Sequence, residues 1–441
     1  MKVLCIELED SGCGLDFVLR CVQAGHKVRY YKKADGNVEP GRGFPGVEHV
    51  DNWATCMKWA DLVFMTGNDQ FLPRIGVFQK NGDVKFFGPS KASADLEIKR
   101  ELGMKFLEEH GIECPPFKTF KSLDDALAYQ WGSSDRHVFK TLGSEEDKSL
   151  SYVGKSPADM VARIQRWKKL GMALKGPCML QEFIPGHEFA VSHWLGSDGW
   201  VGLPNENFEH KKLLSGNCGP NCGEAGTIMK YCNESILFDE VLAPLEQSLL
   251  ELGHLGDVDV NCIVDEKGKA WPLEFTMRPG WPAFNIMLAT HKGDPVQWML
   301  DACNGEDTMD VSTAIACGIV VAQPDYPYSD RTKKETLDIP FYGVTPKNRR
   351  FIAPQSIRMA KMPDMDGDKI VMKDMWASCG DYLAVVTGTG KSVKQATERA
   401  YKVIEDIHVP DLMWRDDIGE KLEKEIPELQ KHGYATEFTY E

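Results

Sequence analysis

The feature that most constrains what this chain can fold into is a change of texture near His137. Before it, short apolar strands alternate with helical segments. Residues 2–8 alternate like a strand, Ser11-Gly12-Cys13-Gly14 makes a turn, Leu15 to Gln23 has helical apolar spacing, and Lys27 to Tyr31 returns as a second strand. Leu62 to Met65 and Lys85 to Phe87 add strands that run out into Thr66-Gly67-Asn68-Asp69 and Gly88-Pro89-Ser90. This pattern predicts a Rossmann-like parallel layer with its loops at the C-terminal ends of the strands. Gly12 and Gly14 lack the third glycine of a dinucleotide fingerprint, so a tight turn is expected there rather than a nicotinamide site. Ser93 to His110 reads as one charged helix closed by Gly111, and Pro115 to Leu127 as a strand leading into a helix.

After His137 the segments HVFKTL, CMLQEF, EFAVSHWL, VDVNCIV and AWPLEF are strands separated by turns, which predicts an antiparallel or mixed sheet with helices on one side. Residues 310–408 suggest a further small α+β unit, with strands at Ala314 to Ala322 and Tyr382 to Thr387 and a helix near Ser392 to Ile407. The tail after Arg415 reads as a solvated helix and short extension. The expected fold class is therefore α/β and α+β multidomain, divided as 1–90, 91–309 and 310–441. The length of 441 residues suits about three domains at roughly 150 residues each.

Charge and cysteine content then exclude whole classes of function. The chain has 51 Lys plus Arg against 66 Asp plus Glu, a formal net charge of −15, so a long polyanion or an anionic membrane meets net repulsion. A small anionic substrate stays open, because a pocket needs only a few local cations. No run of 18 apolar residues occurs, and MKVLCIELE lacks the apolar core of a signal peptide, so a cytoplasmic location is expected. Thirteen scattered cysteines fit reduced thiols better than a disulfide framework, and Cys218 and Cys222 of CGPNC are expected in a loop.

Chemistry concentrates in the hairpin Val258-Asp259-Val260-Asn261-Cys262-Ile263-Val264, turn, Ala270-Trp271-Pro272-Leu273-Glu274-Phe275. Asp259 and Glu274 on adjacent strands can face one cleft and offer the hard oxygen ligands that hold Mg²⁺ against phosphates. Lys140 ends a short strand before Gly143-Ser144, a turn where an ammonium and backbone N–H groups can meet phosphate oxygens. Gln181-Glu182-Phe183-Ile184 gives a strand edge for an adenine, and Glu188 a carboxylate for ribose hydroxyls. Taken singly, each also fits a surface lysine or a solvated strand face.

Together with GPSKASADLEIKRELGMKFLEEHGIECPPFKTFKSLDDALAY, LQEFIPGHEF, EHKKLLSGNCGPNCGEAG at 209–226, LEF…R…G at 273–280 and VTGTGKSVKQATERAYKVIEDI…RDDIG at 386–419, these segments resemble the ATP-grasp superfamily. Within it they resemble the phosphoribosylamine–glycine ligase family, in the family's order and over essentially the whole chain. The resemblance implies a Rossmann-like pre-ATP-grasp domain, an ATP-grasp domain with a lid at about 115–190, and a small C-terminal α+β domain. It implies ATP and Mg²⁺, with Mn²⁺ as a second candidate metal, and as substrates an amino acid, glycine first, and an amine. Lys140 and Arg100 would contact ATP phosphates, Arg100 standing where the family has a lysine. Gln181, Glu182 and Ile184 would border the adenine, and Glu188 would bind ribose. Glu274 would hold the metal, and Asp259 occupies the position of a metal-binding Asp of the related D-alanine ligases. His210, Lys211, Asn221 and Gly223 match the family's DHK…GPNTGG region near the reacting groups, and Arg278 matches an arginine that faces the substrate.

The chain also departs from the family. Thr276 stands where a metal-binding Asn is usual, and Trp281 and Ala283 replace an Asp and a Glu near the small substrates. Glu145, Glu146 and Asp147 crowd the loop after Lys140, and Pro324-Asp325-Tyr326-Pro327 replaces a Gly-Gly-Tyr-Pro turn. Three functions are compatible with these departures: the family's own reaction, a ligase joining an amino acid to a different amine such as a modified nucleotide, and a non-catalytic nucleotide-binding relative.

Overall fold

The computed structural model describes residues 1–7, 12–32, 40–68, 71–82, 84–142, 151–172, 174, 176–328 and 335–441. Leu8 of the expected first strand, Ser11, Asp69 and the loop residues 143–150 lie outside the described residues.

The N-terminal layer is a five-stranded parallel sheet of order β3-β2-β1-β4-β5, built from β1 (Lys2–Glu7), β2 (Lys27–Lys32), β3 (Val47–His49), β4 (Leu62–Met65) and β5 (Phe86–Phe87). Val3 to Glu7 and Leu62 to Met65 are buried throughout, which is why these strands read as continuous apolar runs rather than alternations. The helix Leu15–Gln23 covers one face through Phe17, whose ring lies 4.7 Å from that of Phe64. The turn before it is fixed by Glu7, a buried carboxylate that accepts hydrogen bonds from the Gly14 N–H and the Thr66 hydroxyl.

The expected single helix over Ser93 to His110 is two helices, Lys91–Ile98 and Arg100–Glu109, broken at Lys99 (φ −105°, ψ 80°). Ser90 and Ser93 form a reciprocal capping box at the start of the first. Gly103 permits the kink, because a Cβ there would sit 2.3 Å from the Leu96 carbonyl oxygen. The break places Arg100 in the first turn of the second helix, facing Glu274.

A four-stranded antiparallel sheet follows, of order β6-β9-β7-β8, from β6 (Phe117–Phe120), β7 (His137–Thr141), β8 (Tyr152–Val153) and β9 (Cys178–Glu182). Phe139, Cys178 and Leu180 face the helices Leu123–Trp131 and Pro157–Lys169 in a small core of their own. Lys140 and Gln181 occupy the alternate positions and so point to the other face.

The body is an eight-stranded sheet of order β14-β13-β10-β11-β12-β15-β20-β17. Its strands are β10 (Gly186–Gly196), β11 (Gly199–Leu214), β12 (Cys218–Tyr231), β13 (Gly256–Asp265), β14 (Ala270–Thr276), β15 (Ile315–Ala322), β17 (Ile352–Pro354) and β20 (Tyr382–Gly390). β12 pairs directly with β15, so the sheet runs unbroken across the expected boundary at 309/310. CGPNC opens the strand β12 and is not a loop; Cys218 is exposed and Cys222 buried. A smaller sheet, β16-β19-β18, holds β16 (Leu337–Pro340), β18 (Ile357–Asp366) and β19 (Lys369–Cys379).

The C-terminal tail is not solvated. Leu422, Ile426, Leu429, Tyr434 and Phe438 are buried in the main core, so the helix Leu422–Gln430 has one apolar stripe beneath its charges. The segment before it grips β11: Arg415 donates to the Lys212 carbonyl at 3.0 Å, and Lys421 to that of Glu209 at 3.1 Å. Among the described residues, no helix is long and apolar enough to cross a membrane.

Candidate active site

The site begins with alternation along the central strands of the large sheet. Asn205, Asn207, Glu209 and Lys211 recur at every second position of β11, and Asp257, Asp259 and Asn261 at every second position of β13. Register sets these residues side by side. Ala190 of β10 pairs with Asn207 and Asn261, and Asn261 pairs with Glu274. One alternation further on, Ser192 pairs with Asn205 and Asp259, and Asp259 with Thr276. The result is a polar floor across four strands, where side chains of directly paired residues stand about 5 Å apart.

At one end of the floor the charges converge. Arg100 forms an ion pair with Glu274, and the Lys211 ammonium bridges Glu188 at 2.5 Å and Glu209 at 3.1 Å. Asn261 donates to the same Glu209 carboxylate at 2.8 Å. Lys140 comes into this cluster from β7, and burial, then the Arg100 charge, lower its ammonium to about 7. Burial alone would lower Lys211 too, but Glu188, Glu209 and Glu274 outweigh it and hold Lys211 charged well above the ordinary lysine range. Burial would likewise raise Glu188, and Lys211 lowers it instead.

Asp259 accepts from the Asn207 amide at 3.2 Å and is raised well above the carboxylate range by burial and then by Glu209. Such a carboxyl is ready to lose its proton when a cation arrives. Among the described residues no group of three or more His, Cys, Asp or Glu side chains closes into a metal cage. Glu274, Asp259 and Thr276 fit Mg²⁺ in another way, as a few hard oxygen donors of a cation that takes its remaining ligands from phosphate and water.

Arg278 lies two residues past the end of β14. Its Nε is 3.5 Å from Glu97, whose other oxygen accepts from the Met277 N–H at 2.7 Å and from the Asn68 amide at 2.5 Å. Glu97 thus ties the N-terminal layer to the end of β14. Asn221 and Gly223 are exposed on β12. Gly223 has φ +77°, and a Cβ there would lie 3.1 Å from the Trp281 ring, which packs on Tyr382 with centroids 4.2 Å apart.

One expected site residue stands apart. His210 is buried, and its Nε2 accepts the Gly419 N–H at 3.0 Å; burial, then Lys421 and Arg415, keep the imidazole neutral. The alternation that turns Glu209 and Lys211 into the cleft turns His210 away from it, so its work is to hold the C-terminal segment on β11, not to act on substrate. The Glu182 side chain is exposed and its N–H donates to Pro116, while Ile184 lies half-buried in the connection to β10. Gln181, fully buried, points into the cleft beside Met104. Sequence reading missed Glu97, Asn205, Asn207, Glu209, Asp257 and Asn261. The every-second-residue polar pattern in NENFEHK and DVDVN was the available signal for all but Glu97.

No family model matches the chain. A curated phosphoribosylamine–glycine ligase from Escherichia coli is 26% identical over 356 residues, covering 76% of this chain and 77% of the relative. One from Lactococcus lactis is 23% identical over 355 residues, covering 77% and 79%. The crystal structure of phosphoribosylamine–glycine ligase from Thermotoga maritima superposes with a TM-score of 0.69 at 18% identity, over 95% of this chain and 100% of that one. Over about three quarters of its length the chain is thus similar to the phosphoribosylamine–glycine ligases. The fold is shared more widely: an L-amino acid ligase from Bacillus licheniformis gives a TM-score of 0.57 at 15% identity, over 93% of this chain and 98% of that one. Against this background Glu274, Arg100 and Lys140 meet where the four-stranded sheet faces the floor, and Trp281 sits against Gly223.

Proposed function

We propose that the chain is an ATP- and Mg²⁺-dependent carboxylate–amine ligase, which makes an amide through an acyl phosphate. The observation that carries this function is the convergence of Lys140 and Arg100 with Lys211, Glu188 and Glu274 where the four-stranded sheet faces the floor. Lys140, Arg100 and Lys211 suit the phosphates, Gln181, Glu182 and Ile184 the adenine, and Glu188 the ribose. In the ligand-free cluster Glu274 neutralises Arg100; a polyphosphate that takes Arg100 releases Glu274 for the metal. Glu274, Asp259 and Thr276 hold Mg²⁺, which when bound offsets the charge on the phosphate oxygens.

A carboxylate oxygen of the first substrate attacks the γ-phosphorus, the bond to the β–γ bridging oxygen breaks, and ADP leaves. The amine nitrogen then attacks the acyl carbon, loses a proton and expels phosphate. Cations around the moving phosphoryl group supply the catalysis, and no protein nucleophile is required. Arg278, held by Glu97, faces the carboxylate undergoing activation, and Asn221, Gly223 and Trp281 border the amine.

The relatives' names point to glycine and phosphoribosylamine as the pair. The Trp281 ring against Gly223 favours a second possibility, an amine of different shape, because it puts a bulky apolar wall beside the amine side of the site. ADP release with glycine and freshly generated phosphoribosylamine tests the narrow function. Turnover there establishes it; turnover only on other amines retains the ligase and rejects that substrate pair. Absence of metal-dependent ATP binding in calorimetry would leave a non-catalytic relative.

A further inference from the structure

Strand β12 bulges where it borders the cleft. His210 of β11 pairs with Gly226 and Lys212 with Asn221, so Cys222, Gly223, Glu224 and Ala225 all stand opposite Lys211. The bulge is pinned on both sides. The Cys222 thiol donates to the Lys211 carbonyl at 3.7 Å, and the Tyr326 hydroxyl donates to the Cys222 carbonyl at 2.7 Å. A bulge re-aims a side chain, here that of Glu224, which accepts from the Thr227 hydroxyl. Thr227 pairs directly with Glu209 and so stands on the same face of the sheet. Glu224 thus extends the polar floor onto a fifth strand, beside Gly223 and the Trp281 ring.

This carboxyl is only half satisfied. Glu224 is 9% exposed, and its second oxygen takes no hydrogen bond among the described residues. Lys211, opposite the bulge, is engaged by Glu188 and Glu209 instead. A buried carboxyl without a cation costs free energy that an incoming cation relieves. The motif GPNTGG, matched at Asn221 and Gly223, ends here in Glu224, so the carboxyl is a feature of this chain and not of the motif. Burial, then Glu209, raise Glu224 well above the carboxylate range; Lys211 of β11 opposes this and Asp259 of β13 adds to it. Tyr326 and Tyr382, in the aromatic wall behind Trp281, feel its charge in turn. A carboxyl that holds protons more tightly than usual is the better match to an amine, and an approaching ammonium favours its ionised form.

We propose that Glu224 is the catalytic base of the second half-reaction, the group that takes a proton from the incoming amine. An amine that arrives as its ammonium cannot attack while its lone pair holds a proton. The Glu224 carboxylate accepts that proton, and the freed nitrogen attacks the acyl carbon. A second N–H proton leaves with the expelled phosphate as the amide forms, and Glu224 then returns its proton to solvent.

The assignment rests on the ligase function, and hydroxylamine separates the two. It is unprotonated at neutral pH and traps an acyl phosphate as a hydroxamate without a base. The full chain is given ATP, Mg²⁺ and glycine or another common amino acid, with either hydroxylamine or a primary amine: phosphoribosylamine, ethanolamine or methylamine. The wild type should form hydroxamate, and an amide with at least one of the amines. Glu224→Gln, a neutral isostere, should lower amide formation about a hundredfold or more and keep hydroxamate formation within about threefold. Equal amide rates in the two proteins, a parallel loss of hydroxamate and amide, or wild-type hydroxamate with no amide from any of the amines would each overturn the base. No ATP-dependent hydroxamate from the wild type would instead defeat the ligase function on which the base rests.

Discussion

Lys140 gives the cleft a pH dependence that can be worked out in advance. Burial and the neighbouring Arg100 lower its ammonium to about 7, whereas Lys211 stays charged far above that. At pH 7 about half of the ligand-free molecules therefore carry a neutral Lys140, and at pH 8 about nine in ten do. A polyphosphate beside the side chain favours the ammonium form, so binding draws a proton from solution: about 0.5 at pH 7 and about 0.9 at pH 8. The same linkage makes the apparent affinity for Mg-nucleotide fall about fivefold from pH 7 to 8 and about tenfold from pH 8 to 9. Terminal phosphates ionise near pH 6, so the ligand's own charge is nearly constant over this range. Calorimetry in buffers of different ionisation enthalpy measures the proton uptake directly. Lys140→Arg keeps a charge that does not titrate, and its affinity should be flat with pH whatever its absolute value. A flat wild-type profile between pH 7 and 9, or the same slope in Lys140→Arg, would refute the assignment of Lys140 to the phosphates.

Three further outcomes are expected. Glu274→Gln should lose the metal-dependent part of nucleotide binding and lower turnover about a hundredfold or more, read by calorimetry with and without Mg²⁺ and by ADP release. His210→Ala leaves the Gly419 N–H unpaired in the core, so it should cost about 1–3 kcal/mol in denaturant melts and leave the pH profile of turnover in place. Glu206, on the opposite face of β11, is raised from 4.5 to about 7 by burial against its hydrogen bonds from Ser235 and Cys232. The native state then holds a proton between these pH values that the unfolded chain releases, so stability falls as pH rises through that window. Glu206→Gln should remove this slope and stabilise the protein above pH 7 by at most about 3 kcal/mol, at roughly 1.4 kcal/mol per pH unit. Equal wild-type and variant slopes in melts at pH 5 to 8 would exclude Glu206 as their source.

Local pattern and tertiary packing divided the determination of this molecule in a way particular residues make plain. The helix Leu15–Gln23 and the strand Leu62–Met65 form where periodicity puts them, because buried elements of this kind write their whole apolar face into a few consecutive residues. Lys140, Glu188, Asp259 and Glu274 were legible as candidates because strand ends and a hairpin with paired carboxylates are local features. The break at Lys99 was not legible: helical propensity continues through it, and what interrupts the helix is the approach of Gly103 to the Leu96 carbonyl under β14. The buried tail was hidden for a related reason, since Leu422, Ile426 and Leu429 form a stripe too narrow to outweigh the surrounding charges until a core is present to receive it. His210 shows the limit most sharply. Its motif neighbours face the cleft, and only the pleat of β11 and the arrival of Gly419 from two hundred residues away turn it inward. By itself, then, the sequence determined which segments are strands and helices and which charged residues were available for chemistry. Tertiary structure alone decided which of them share a face, because register across β11, β10, β13 and β14 depends on long-range pairing that local sequence does not encode.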